Sequence, residues 1–211
     1  MPDTPTPRRT RTRARILAGA EPLLREHGLR KVTVDDLCAA AGVSRRTFYQ
    51  HFESREALAS EVIGIIVQDA SGPIIANLES RRPAAELIPK HFRLIAELAY
   101  PRVSARFFAD VDAELPAASR LIAETRRRMI DGLVAVIHRG QREGSIQPGL
   151  NPEALGKIIN AIVEMVISPA FALANDLSMA QIGETLSALL LRGLLVSEPA
   201  AADRRRTRRK R

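Results

Sequence analysis

Apolar residues recur along this chain three and four positions apart, the period of a helix with one buried face, and they do not alternate as in a strand. Ile16, Leu17, Ala20, Leu23 and Leu24 predict a first helix from about Thr10 to His27, stopped by Gly28. Pro22 lies inside it and is expected to kink it or loosen one turn. Thr33 to Phe52 reads as two short helices joined at Gly42. Thr33 and Asp36 form a capping box, Gly42 supplies a left-handed stop, and Ser44 caps the second helix. Ser54 then caps a long helix with Leu58, Val62, Ile65 and Ile66 inward, reaching Gly72-Pro73 or continuing, kinked, to Leu78. Further helices are expected over 84–99, in a short segment opened by Pro101, from Pro116 to Glu143, from Pro152 to about Ala174, and from the cap at Ser178 to about Ser197. The class is all-α, with about nine helices.

The last two of these helices carry more apolar surface than one core uses. Leu155, Ile158, Ile159, Ile162, Val163 and Val166 nearly encircle the first, and Ile182, Leu186, Leu189, Leu190 and Leu194 line the second. Such a helix is buried on more than one side. It is either the central core helix of a monomer or half of a four-helix interface between two copies.

Composition adjusts this picture at three points. Among 211 residues 45% are hydrophobic, 4% are aromatic and none is Trp, so the core is aliphatic. The single Cys38 permits neither an intramolecular disulfide nor a zinc set, which points to a small buried residue in a reducing cytoplasm. The N-terminus lacks the apolar stretch of a secretory signal, and no apolar run approaches the ~20 residues that span a bilayer, so no membrane partner is expected.

Charge is unevenly placed. Residues 1–55 hold 11 Lys/Arg against 6 Asp/Glu, residues 56–203 hold 14 against 18, and residues 204–211 hold 7 against none. The body is therefore acidic, and affinity for a polyanion belongs to the N-terminal part and the tail. On the helix after Ser44, Phe48 and Phe52 look inward while Arg45, Arg46, Tyr49 and Gln50 look outward. Cations meet phosphates, and guanidinium or amide forks read base edges, so this face suits a DNA groove. Arg55 opens the following helix, where the helix dipole disfavours a cation and a phosphate partner would explain it. No Gly-rich phosphate loop, metal set or nucleophile–base pattern suggests an enzyme, and no cofactor is expected.

Residues 10–60 resemble the TetR family of bacterial transcriptional regulators. The likeness rests on His27-Gly28, Thr33-Val34-Asp35-Asp36-Leu37, Ala40-Ala41-Gly42-Val43-Ser44, Thr47-Phe48-Tyr49, His51-Phe52 and Ser54-Arg55-Glu56-Ala57-Leu58. It implies a three-helix helix-turn-helix domain, a helical effector-binding and dimerisation domain, and a repressor released by a small ligand. By position, Thr33 and Ser44 would touch phosphate, and Arg45, Arg46 and Thr47 would lie at the major groove. Tyr49 and His51 would bond the DNA backbone, and Arg55 would neutralise a phosphate. Many members carry a small or glycine-like residue where this chain has Arg46, which gives it its own base preference.

The resulting division is a disordered basic arm (1–9), a helix-turn-helix domain (10–55), an effector and dimerisation domain (56–198) and a disordered basic tail (199–211). The expected partners are a palindromic double-stranded DNA operator, a second copy through the last two helices, and a small-molecule effector. Phe92, Phe107, Phe108, Met129 and Met165 are either plain core or, as the resemblance implies, the lining of an effector pocket. His91, Asn160 and Glu164 are either its polar contacts or surface residues. The competing reading is a sequence-tolerant architectural protein that binds DNA through its arm and tail.

Overall fold

The structure, a computed structural model, describes residues 7–99, 102, 105–166 and 169–195, apart from the side chains of residues 105–108, 166, 169 and 173. The described residues form ten helices and no strand; one isolated antiparallel bridge joins Ile146 to Leu195. The N-terminal helices are α1 (Pro7–His27), α2 (Val34–Ala41) and α3 (Arg45–Tyr49). The body comprises α4 (Arg55–Glu79), α5 (Ala84–Leu98), α6 (Ala105–Glu114), α7 (Pro116–Glu143), α8 (Pro152–Val166), α9 (Pro169–Ala174) and α10 (Met179–Leu194).

Helix α1 begins at Pro7, three residues before the expected start, so Arg8 and Arg9 are helical rather than part of a disordered arm. Residues 1–6 and the basic tail lie outside the described residues. A proline costs nothing in a helix's first turn, where its missing N–H has no partner anyway. Pro22 does not end the helix either, because Ile16, Ala20 and Leu24, fully buried on one stripe, hold both sides of it. Gly28, at φ 78°, closes α1 with its N–H on the Leu24 carbonyl at 2.9 Å.

The caps that the sequence predicts are present. The Thr33 hydroxyl accepts the Asp36 N–H at 3.2 Å, and the Thr33 N–H donates to the Asp36 carboxylate at 2.8 Å. Gly42 takes φ 61°, a conformation that costs a residue with a Cβ. Ser44 accepts the Thr47 N–H at 3.1 Å. A Cβ on Gly19 would stand 3.3 Å from the Ala40 carbonyl group, so its absence lets α1 and α2 meet backbone to backbone. Asn151 caps α8 and Ser178 makes a capping box with Gln181.

Helix α4 runs unbroken through Pro73 to Glu79. It is long and apolar enough, by length and composition alone, to cross a bilayer, which corrects the expectation that no segment is. Here its apolar positions serve the two halves of the protein. Leu58, Ala59, Val62, Ile63 and Ile66 join the N-terminal core, and Leu78 joins the second. The N-terminal core does not stop at α4: Val111, Leu115 and Ala118 from α6 and the start of α7 complete it. The second core packs Leu87, Ile88 and Phe92 of α5 against Leu133, Val136 and Ile137 of α7, with Ile159 and Leu194 closing it.

The expected single helix from Pro152 to about Ala174 appears as α8 and α9, the second starting at Pro169. Helix α10 ends at Leu194, a few residues before the expected Ser197.

Candidate nucleic-acid interface and ligand cavity

Helix α3 is short because its caps are close. Phe48 and Phe52 anchor it, both buried, with ring centroids 5.9 Å apart. The opposite side is open. Thr33, Ser44, Arg45, Arg46, Tyr49 and Gln50 are exposed, and Thr47 and His51 are half-buried at the margin. Tyr49 is 52% exposed, its ring edge-on to Phe48 at 5.4 Å, so its hydroxyl faces away from the core. The Arg45 Nε lies 3.2 Å from the Asp35 carboxylate, an exposed pair of little intrinsic strength that a phosphate can displace. The Arg46 side chain has no partner among the described residues, which leaves its fork free for a base edge.

Three arginines of α1 reach α3 and its flanks, Arg9 among them rather than in a disordered arm. Arg9 donates to the Gln50 carbonyl at 3.4 Å, and Arg15 to the Gly42 carbonyl at 3.4 Å. Arg13 forms a two-pronged ion pair with Glu61 of α4, and its guanidinium stands 4.7 Å over the Phe52 ring. The i, i+4 spacing of Arg9 and Arg13 is the signal that could have grouped them. Burial, with Arg9 and Arg13 nearby, holds the His51 pKa below its ordinary value. Both effects favour the neutral ring in the free protein.

Arg55 is turned inward, which corrects its assignment to a phosphate. One guanidinium nitrogen donates to the Leu29 and Val32 carbonyls at 2.9 and 3.0 Å; another lies 2.8 Å from Glu56 and 3.7 Å from Glu114. The guanidinium meets the carbonyls of the segment between α1 and α2 and balances acids of α4 and α6. Arg55→Ala is expected to cost about 1–3 kcal/mol of unfolding free energy through the carbonyls it leaves unpaired. The slope of DNA affinity against salt should stay that of wild type. Urea titrations and binding at several salt concentrations check this; a slope reduced by about one, with stability intact, would return Arg55 to the phosphate backbone.

Between the two cores lies a cavity of about 440 Å³, walled by α4, α5, α6, α7, α8 and α10. Of the residues proposed for it, His91, Phe92 and Met129 line it. Met165 does not: it is 65% exposed on α8. The side chains of Phe107 and Phe108 lie outside the described residues. Glu164 is in the wall, paired with Arg126 at 2.8 Å, whereas Asn160 is not among the wall residues. His91 is 3% exposed rather than on the surface, and burial alone lowers its pKa to about 4.

This fixes a pH dependence. The unfolded chain protonates His91 near pH 6.5 and the folded chain near 4, so the unfolded state binds the extra proton between them. The contribution is complete above pH 6.5 and is lost as pH falls toward 4. Between pH 6.5 and 5 wild type is expected to lose about 2 kcal/mol more stability than His91→Phe. Urea unfolding at the two pH values checks it, and equal losses would show that the ring is not buried neutral.

A capped helix pair with an open basic face, carried on a helical body with a ligand-sized cavity, defines a helix-turn-helix transcriptional regulator. Residues 16–62 match the family model described as bacterial regulatory proteins, tetR family. The transcriptional repressor KstR2 of Rhodococcus jostii is 26% identical over 147 residues, 67% of this chain and 71% of that one. The regulator EthR of Mycobacterium tuberculosis is 46% identical over 55 residues, 26% of each chain. Among solved structures, a putative transcriptional regulator from Saccharomonospora viridis in complex with choline superposes with TM-score 0.69 at 20% identity. That match covers 89% of this chain and 100% of the other, and at such identity it speaks to the fold. Over residues 16–62 the chain thus carries the N-terminal module of the TetR family of bacterial transcriptional regulators, and its curated relatives are transcriptional repressors and regulators.

Proposed function

We propose that this protein is a cytoplasmic homodimeric repressor that holds a palindromic operator and leaves it when a small molecule fills the cavity. The observation that carries the release step is the double role of α6. Val111 belongs to the DNA-binding core and also lines the cavity. One residue away, Asp110 accepts the Arg30 N–H at 3.0 Å, and one turn on, Glu114 pairs with the Arg30 guanidinium at 2.8 Å. Helix α4 makes the same passage, with Ile63 and Ile66 in both the core and the cavity wall. A ligand that resets α4 or α6 thus moves the segment preceding α2. It does so only by binding the released conformer more tightly than the DNA-bound one.

In this reading Thr33 and Ser44 meet phosphate at the helix starts, Tyr49 and His51 bond the backbone, and Arg45, Arg46, Thr47 and Gln50 face the groove. A dimer places two α3 helices roughly one DNA turn (~34 Å) apart. The exposed Ile158, Met165 and Leu189 support a second copy seated on α8 and α10. The architectural alternative is not favoured, since the curated relatives are transcriptional repressors and regulators. Selection of genomic fragments by the purified protein is the test. Recovery of one palindromic motif that outcompetes random DNA is expected; recovery of fragments without a shared motif refutes the repressor reading.

A further inference from the structure

We infer that the cavity selects a neutral, largely apolar ligand with one hydrogen-bonding oxygen, a hydroxyl or a carbonyl, and that His91 recognises that oxygen. The inference rests on reading the cavity as the effector site and adds the chemistry of its occupant. Most of the wall is aliphatic, with Ile63, Ile66, Ile74, Ile95, Ile122 and Leu190 among its residues. Such a surface holds an apolar body, and specificity then falls to the few polar groups.

Most of those groups are already engaged. The Ser187 hydroxyl donates to the Gly183 carbonyl at 2.7 Å, and the Ser119 hydroxyl to Asp112 at 2.8 Å. The Arg126 guanidinium is matched by Glu164; its Nε is buried without a partner, but its charge is spoken for. His91 differs. Its ring is nine-tenths or more buried in the wall, and Nδ1 has no hydrogen-bond partner. Buried polar groups are nearly always paired, so an orphan in a cavity wall marks a place where a ligand completes the bonding.

The ring is neutral at pH 7 because burial lowers its pKa to about 4. It therefore offers one N–H and one lone pair but no charge. A hydroxyl serves either tautomer, and a carbonyl serves the one whose N–H meets it. A carboxylate would lose its hydration with no free cation in the wall, because Arg126 is matched by Glu164. The one wall carboxylate without a cationic partner, Asp112, is solvent-exposed and holds the Ser119 hydroxyl, so it offers a quaternary ammonium a hydrated, screened charge rather than a buried one.

Three probes with one chain length isolate the head group: 1-decanol, decanoate and decyltrimethylammonium, at equal submillimolar concentration with the full-length protein at pH 7. Calorimetry should show 1-decanol binding at least tenfold more tightly than either ion. His91→Phe, which keeps the ring and removes the orphan nitrogen, should retain the wild-type Tm and weaken 1-decanol at least fivefold. His91→Gln should recover part of that loss, and Ala123→Phe, which fills the cavity, should abolish 1-decanol binding. The inference is overturned if either ion binds as tightly as the alcohol. It also falls if His91→Phe leaves 1-decanol affinity unchanged, or if Ala123→Phe does. Selective binding that leaves the operator occupied upholds the head-group assignment and removes the effector reading instead.

Discussion

Arg46→Ala is expected to weaken operator binding by about 1–3 kcal/mol and to relax base preference at one position in each half-site, while binding to random DNA changes little. The side chain is exposed on α3 and has no partner among the described residues, so its removal costs the fold little. Arg45, by contrast, spends part of its charge on Asp35. Arg46→Lys separates the two things an arginine does at DNA. It keeps the charge but loses the planar fork, so it should leave affinity for random DNA at the wild-type value and still fail to restore the base preference. Fluorescence anisotropy on the selected operator, a set of single-base variants and random DNA provides the measurement. Equal losses of Arg46→Ala on operator and random DNA would reduce the residue to a phosphate contact.

Breaking the dimer should have a larger effect still. Ile158 and Leu189 are 54% and 66% exposed in the single chain, on α8 and α10. Because they are exposed there, Ile158→Glu or Leu189→Glu should leave the helical circular dichroism signal unchanged. In a dimer interface the same carboxylate is buried without a partner. The variants are expected to sediment as monomers and to bind the two-half-site operator at least about 100-fold more weakly, because the second half-site is no longer held at high effective concentration. Lys157→Glu, at a polar exposed position of α8, is the control that should remain dimeric. Undiminished dimerisation of both apolar-to-Glu variants would move the interface elsewhere on the molecule.

The DNA-binding half was legible because its signals are local. A cap, its reciprocal acid, a left-handed glycine and a second cap lie within a dozen residues, and each acts through its own backbone neighbourhood. The inward Phe48 and Phe52 and the outward Arg45, Arg46, Tyr49 and Gln50 follow from helical period alone. Two readings failed, and one left open was decided, where a distant part of the chain rules. Helical position gives the direction in which Arg55 leaves α4, but the Leu29 and Val32 carbonyls and Glu114 that capture it come from other segments. His91 is a polar residue on an amphipathic helix, so its sequence suggests the surface; packing of α4 and α7 over α5 buries it. Met165 sits in an apolar run and still points outward, because α8 has more apolar surface than the single chain covers.

By itself the sequence determined most of the helices, their caps, the turn at Gly42 and the residues on the open face of α3, because backbone hydrogen bonds and side-chain period are set by neighbours a few positions away. Only the tertiary structure decided that α4 and α6 belong to both halves, that an orphaned imidazole lines the space between them, and that Arg55 braces the fold. Those outcomes depend on which helices meet, and that is fixed by how the apolar faces of the whole chain bury one another.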